Sequence, residues 1–145
     1  MAKIEKSIEI KAPIEKVWAF LTDFGNYPSF MKGVKKINYL TDKRSGVGVQ
    51  THWVMESSGQ EIEWDGECTE WVENKKMSWH STSEMKFSGH QLIEPTETGT
   101  KLTLIMDYEL PYSILGKIID KLKVEKEFVK QVEESLEAGK RILES

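Results

Sequence analysis

The stretch Ile8–Phe30, "IEIKAPIEKVWAFLTDFGNYPSF", decides the fold. Its first residues close an alternating run from Lys3 to Lys11. Ile4, Ile8 and Ile10 share one face with Lys6, and Lys3, Glu5, Ser7, Glu9 and Lys11 share the other. A period of two predicts a half-buried strand. Pro13 then suits a first helical turn, where an amide hydrogen has no partner to lose. Ile14, Val17, Trp18 and Leu21 follow as an apolar stripe at helical spacing. Gly25 is a natural stop, Pro28 opens a second short helix through about Met31, and Gly33 ends it.

Beyond Gly33 the chain reads as strands separated by turn signals. The expected strands are Val34–Leu40, Val47–Met55, Gln60–Trp71, Lys76–Thr82, Met85–Glu94 and Thr100–Leu110. Asp42–Gly46, Ser57-Ser58-Gly59, Asn74-Lys75 and Pro95–Gly99 are the turns between them. Pro111 ends the strands, and Tyr112–Leu143 carries a helical pattern, about 45 Å long at 1.5 Å per residue and bent near Val124.

The short turns make successive strands antiparallel. Such a sheet has one apolar face, and only the C-terminal helix is long enough to cover it. The expectation is an α+β fold of one domain, residues 1–145. A curved seven-stranded antiparallel sheet wraps the long C-terminal helix, with two short helices between strands 1 and 2.

Composition narrows the partners. The chain has 145 residues, 39% hydrophobic and 30% charged, with a formal net charge of -4. That balance argues against a nucleic-acid surface, which needs clustered Lys and Arg. The N-terminus has no signal-peptide core and no apolar run spans a bilayer, so a cytoplasmic location without integral membrane association is expected. One cysteine, Cys68, permits neither an intramolecular disulfide nor a Cys-based zinc site. Five Trp and six Met are many for this length, and Met fills irregular space.

The Ile8–Phe30 stretch resembles the N-terminal signature of the START-like (SRPBCC) superfamily, which includes the birch-pollen-allergen type proteins. "IEPTETGTKLTLIMDYELP", Ile93–Pro111, looks like its penultimate segment, with a Glu-Pro turn, a Gly-Thr, an alternating strand and a Leu-Pro exit. Within the superfamily the chain is most similar to the polyketide cyclase/dehydrase and lipid-transport branch. The resemblance covers nearly the whole chain and implies the helix-grip fold, with a cavity between sheet and helix. It implies no particular mechanism. Phe24, Tyr27, Phe30 and Met31 are expected to plug or rim the cavity mouth.

Strand alternation turns Trp53, Met55, Ile62, Trp64, Met77 and Trp79 toward the helix, with Phe87, Gln91, Ile93, Leu104, Met106 and Tyr108. Ligand sites are mostly apolar with a few placed polar groups. Ser81, Gln91, the Tyr108 hydroxyl, Cys68 and the indole N–H groups would supply those here. The expected ligand-binding set is Phe30, Met31, Trp53, Met55, Trp64, Met77 and Trp79, then Phe87, Gln91, Met106 and Tyr108, and from the helix Ile118 and Leu122.

Other motifs carry less. His52, His80 and His90 fall on the outward phase of their strands, so no metal is expected. Glu61, Glu63, Asp65 and Glu67 form a solvated ridge with no pocket to raise a carboxyl pKa. "DFG" at Asp23 lacks every other kinase signature. "GVGVQT" at Gly46 fails the dinucleotide fingerprint, and nothing calls for a cofactor.

The leading expectation is binding or transport of a bulky, mainly apolar small molecule, lipid-, quinone- or polyketide-like. One alternative is an aromatase/cyclase-type enzyme, with Tyr108 and Cys68 as its inward acid–base candidates. The other is an interaction module like the Hsp90-activator relatives. The sequence leaves the oligomeric state open.

Overall fold

The alternating N-terminal run forms β1 (Ala2–Ile10) and pairs antiparallel with β7 (Thr100–Glu109). The structure, a computed structural model, describes residues 2–57, 59–109, 116 and 120–145. After β1 come α1 (Ile14–Thr22), a 3-10 turn (Phe24–Asn26) and α2 (Tyr27–Phe30). Then follow β2 (Val34–Tyr39), β3 (Gln50–Ser57), β4 (Gln60–Val72), β5 (Lys76–Ser81) and β6 (Lys86–Pro95). After β7 the described chain resumes with α3 (Lys121–Glu144).

The sheet order is β1-β7-β6-β5-β4-β3-β2, with every pairing antiparallel. Only β1 is out of sequence order. It lies at the edge opposite β2, so α1 and α2 must cross from one rim to the other. This is the expected helix-grip, a curved seven-stranded sheet around a long C-terminal helix. No helix among the described residues is long and apolar enough to cross a membrane.

Local chemistry explains most boundaries. Val17, Trp18 and Leu21 are the buried stripe of α1. The helix ends at Asp23, whose backbone is extended and whose carboxylate accepts the Gly25 N–H at 3.2 Å. Gly33 sits at φ +90, and a Cβ there would stand 2.7 Å from the Glu56 carbonyl oxygen. Only glycine fits, so the chain can turn there from α2 into β2.

Two expectations are corrected, and β4 carries a bulge that alternation does not show. The third strand begins at Gln50, not Val47. Gly46 and Gly48, at φ +87 and +94, hold the preceding segment in a loop where Val47 is exposed. The inward phase of β4 slips at a bulge between Cys68 and Glu70. Simple alternation would place Trp71 on the acidic outer face. The extra residue turns it inward instead, edge-on to Trp18 at 5.4 Å. The helical pattern expected from Tyr112 is broken at Asp120, which is extended (φ -131, ψ 96) and caps α3 by accepting the Lys123 N–H at 3.1 Å. Residues 110–115 and 117–119 lie outside the described residues, and Ile118 with them.

The helix α3 buries Val132, Ser135, Leu136, Gly139 and Leu143 along one stripe. Its C-terminal end is tied down by three hydrogen bonds. Lys16 Nζ donates to the Leu143 carbonyl (2.8 Å), Lys140 Nζ to the Glu9 carbonyl (2.6 Å), and the Lys11 N–H to Glu144 Oε2 (2.8 Å). Lys6, the one charge on the inner face of β1, reaches Glu133 on the same helix at 3.9 Å. Its stem covers apolar surface while its head stays wet.

Candidate functional site

Between the concave face of the sheet and α3 lies a cavity of about 70 Å³. One ordered water needs about 10–15 Å³, so the interior has room for something larger.

The floor is aromatic. Trp53 and Trp64 are stacked, with centroids 5.3 Å apart and planes 14° from parallel. Phe87 joins Trp64 at 4.8 Å and Trp79 at 6.0 Å. Two glycines let the indoles lie close to the backbone. A Cβ on Gly66 would meet Trp64 at 2.6 Å, and one on Gly89 would meet Trp79 at 2.5 Å. Both glycines share the inward phase, so each removes a side chain where an indole must pass. Met31, Met55, Met77 and Met106 fill in around the rings.

The expected residues divide clearly. Met31, Trp53, Met55, Trp64, Met77, Trp79, Phe87, Gln91 and Met106 all line the cavity. Phe24 and Tyr27 line it as well. Phe30 does not. Its ring packs on Phe20 at 4.8 Å and against Gly139 of α3, sealing the closed end. Tyr108 also lies outside the lining, because its ring is occupied by Phe128 at 4.7 Å. Leu122 is 60% exposed, since α3 starts only at Lys121 and its first turn stands clear of the sheet. Ser81, the last residue of β5, hydrogen-bonds with Ser83 and is not part of the lining.

The helix wall is made instead by Phe128, Gln131, Val132 and Ser135, with Lys32 beside them. The helical row that includes Ile118 and Leu122 in the sequence is continued by Phe128 and Val132. What the spacing cannot show is where along the helix the contact with the sheet begins. Ser135 Oγ accepts the Lys32 N–H at 2.7 Å and donates to the Gln131 carbonyl at 2.6 Å. Gln131 Nε2 donates to the Glu56 carbonyl at 3.3 Å. Met31, Met55, Phe128 and Gln131 are half-buried and Lys32 is exposed, which marks where the space nears solvent.

The polar groups of the lining are few and mostly engaged. Trp53 Nε1 donates to Thr51 Oγ1 at 2.8 Å, and Trp64 Nε1 to Met55 Sδ at 3.0 Å. The Trp79 indole nitrogen is buried and has no hydrogen-bond partner among the described residues. The Tyr27 hydroxyl donates to the Leu21 carbonyl at 2.7 Å and sits 3.0 Å from Gln91 Nε2. Burial holds its pKa far above the usual phenol value. Burial also pushes the Cys68 thiol up, and its Sγ–H donates to the Glu70 carbonyl at 3.1 Å.

On the outer face, His52 Nδ1 lies 2.5 Å from Asp65, and its Nε2 lies 3.5 Å from Glu63. His80 meets Glu67, and His90 meets Ser78. No group of residues among those described could hold a metal ion.

A family model described as polyketide cyclase / dehydrase and lipid transport matches residues 1–144. The chain belongs to that family. An uncharacterised 17.2 kDa protein of Streptomyces lincolnensis is 34% identical over 150 aligned residues, which cover 99% of this chain and 91% of that protein. A Thermus thermophilus protein of known structure superposes with a TM-score of 0.82 at 23% identity, over 98% of this chain and 97% of that one. The Zhui aromatase/cyclase from Streptomyces sp. R1128 gives a TM-score of 0.81 at 15% identity, over 99% and 93%. At these identities the two structures speak for the fold alone, and proteins that share a fold do different things with it.

Proposed function

We propose that this protein binds a bulky, mainly apolar small molecule in the cavity between the sheet and α3. The observation that carries this reading is the aromatic and thioether lining of a hollow interior. Removing about 200 Å² of ligand surface from water would give roughly 5 kcal/mol before association costs. Polyketide-, quinone- and lipid-like bodies all fit that description.

The enzyme reading has less support. Of its two acid–base candidates, Tyr108 lies outside the lining, and the Cys68 thiol is held protonated by burial. A general acid or base works best with a pKa near the operating pH. Native mass spectrometry of protein purified from its own source tests the binding reading. A discrete adduct that extracts into organic solvent supports it. Bare chain, together with no saturable binding of 8-anilinonaphthalene-1-sulfonate, overturns it.

A further inference from the structure

Gln91 projects from β6 into the cavity lining and is 6% exposed. Its carboxamide meets the Tyr27 hydroxyl through both heteroatoms, Nε2 at 3.0 Å and Oε1 at 3.4 Å. A phenol has a single proton. The shorter Tyr27 contact, 2.7 Å to the Leu21 carbonyl, takes it. The phenol oxygen can therefore only accept from Gln91 Nε2. The opposite amide orientation would set two acceptors against that one proton. It follows that Gln91 Oε1 faces Tyr27 at 3.4 Å with no proton between them.

A carboxamide oxygen in such surroundings is costly to leave unserved. The other polar groups of the lining do not relieve it. The Trp53 and Trp64 N–H groups are spent on Thr51 and Met55, Ser135 is bonded to Lys32 and Gln131, and the Trp79 N–H, which has no partner among the described residues, makes no bond to Gln91 either. The amide is also fixed in place. Leu21 holds Tyr27, Tyr27 holds Gln91, and the Tyr27 ring is packed edge-on against Trp53 at 5.3 Å. A preset acceptor on an apolar wall selects among ligands of similar shape.

We infer that Gln91 Oε1 is the specificity-determining acceptor of this cavity, and that the ligand is an apolar body bearing a hydroxyl or N–H donor. This rests on the binding reading above. A phenolic or alcoholic compound meets the requirement. Its ether or plain hydrocarbon counterpart does not.

The test compares 2-naphthol, which has the donor, with 2-methoxynaphthalene, which has lost it. Both are measured as competitors of bound 8-anilinonaphthalene-1-sulfonate, on wild type and on Gln91→Met, which keeps the side-chain volume. Wild type should prefer 2-naphthol about tenfold, the scale of one buried hydrogen bond. Gln91→Met should bind both compounds with similar affinity, and Gln91→Leu provides a second apolar replacement should the first not fold.

Equal affinities on wild type would mean solvent already serves the oxygen, and would overturn the assignment while leaving the cavity reading intact. A preference that survives in both folded variants would overturn it too. Failure of all three compounds to bind wild type would remove the binding reading itself.

Discussion

Gly66→Ala is the sharpest probe of how the floor is built. A Cβ at residue 66 would lie 2.6 Å from Cζ3 and 3.2 Å from Cη2 of Trp64. Ordinary contact between carbons needs about 3.5–4.0 Å, so the indole must retreat by about 1 Å. No backbone atom is among the nearest neighbours of that Cβ, so the clash falls on the ring alone. The retreat disturbs the Trp53–Trp64 stack and the 3.0 Å bond from Trp64 Nε1 to Met55 Sδ. Overpacking of this kind costs about 1–3 kcal/mol. For a chain of this size that is a fall in Tm of roughly 3–10 °C. Urea unfolding followed by far-UV circular dichroism measures the loss, and near-UV circular dichroism reports the displaced indoles. Trp64→Leu removes the ring that the new methyl strikes. The double variant should therefore be more stable than the two single losses predict, by about 1 kcal/mol or more. Strict additivity, or an unchanged urea midpoint for Gly66→Ala, would refute the seating of Trp64 over Gly66.

Further outcomes concern the frame. Ser135→Ala removes the acceptor of the Lys32 N–H from a site 2% exposed and should cost about 1–3 kcal/mol; amide exchange at Lys32 should speed up more than exchange at Ile37, which lies beyond the latch. The His52 pKa is raised, first by its bond to Asp65 and further by Glu63. A raised folded value means the charged ring stabilises the fold fully below about pH 6.5, the unfolded value. That contribution fades as pH climbs through the folded pKa. The stability advantage of wild type over His52→Gln should thus shrink as pH rises above about 6.5, and an NMR titration of His52 at or below about 6.5 would contradict it.

The fold was legible because two periods dominate the chain. The alternation of Ile4, Ile8 and Ile10 and the helical stripe of Val17, Trp18 and Leu21 belong to their elements whatever surrounds them. Strand phase also located most of the cavity floor, from Trp53 to Met106. The departures came where one residue changes a phase or a partner decides. The bulge after Cys68 inverts Trp71 without any glycine or proline to announce it. Tyr108 has the inward phase, but Phe128 of α3 covers it. Leu122 keeps the helical spacing, yet the helix begins a single residue before it. Gly66 and Gly89 carry no side chain for a periodicity to register. Only the indoles above them show that they are seats.

The separation of fixed and hollow regions explains how a fold this small can tolerate an unfilled interior. A cavity costs stability because its lining loses contact partners. Here the helix side of the loss falls along Phe128, Gln131, Val132 and Ser135. The second half of α3 is secured independently, by Leu136 and Leu143 in the core and by the hydrogen bonds from Lys11, Lys16 and Lys140. Phe30 and Phe20 close that end against Gly139. A ligand entering beside Lys32 and Gln131 would therefore add contacts to side chains of α3 that border unfilled space. Its binding should raise the unfolding free energy by the mass-action term alone, without requiring the anchored end to move.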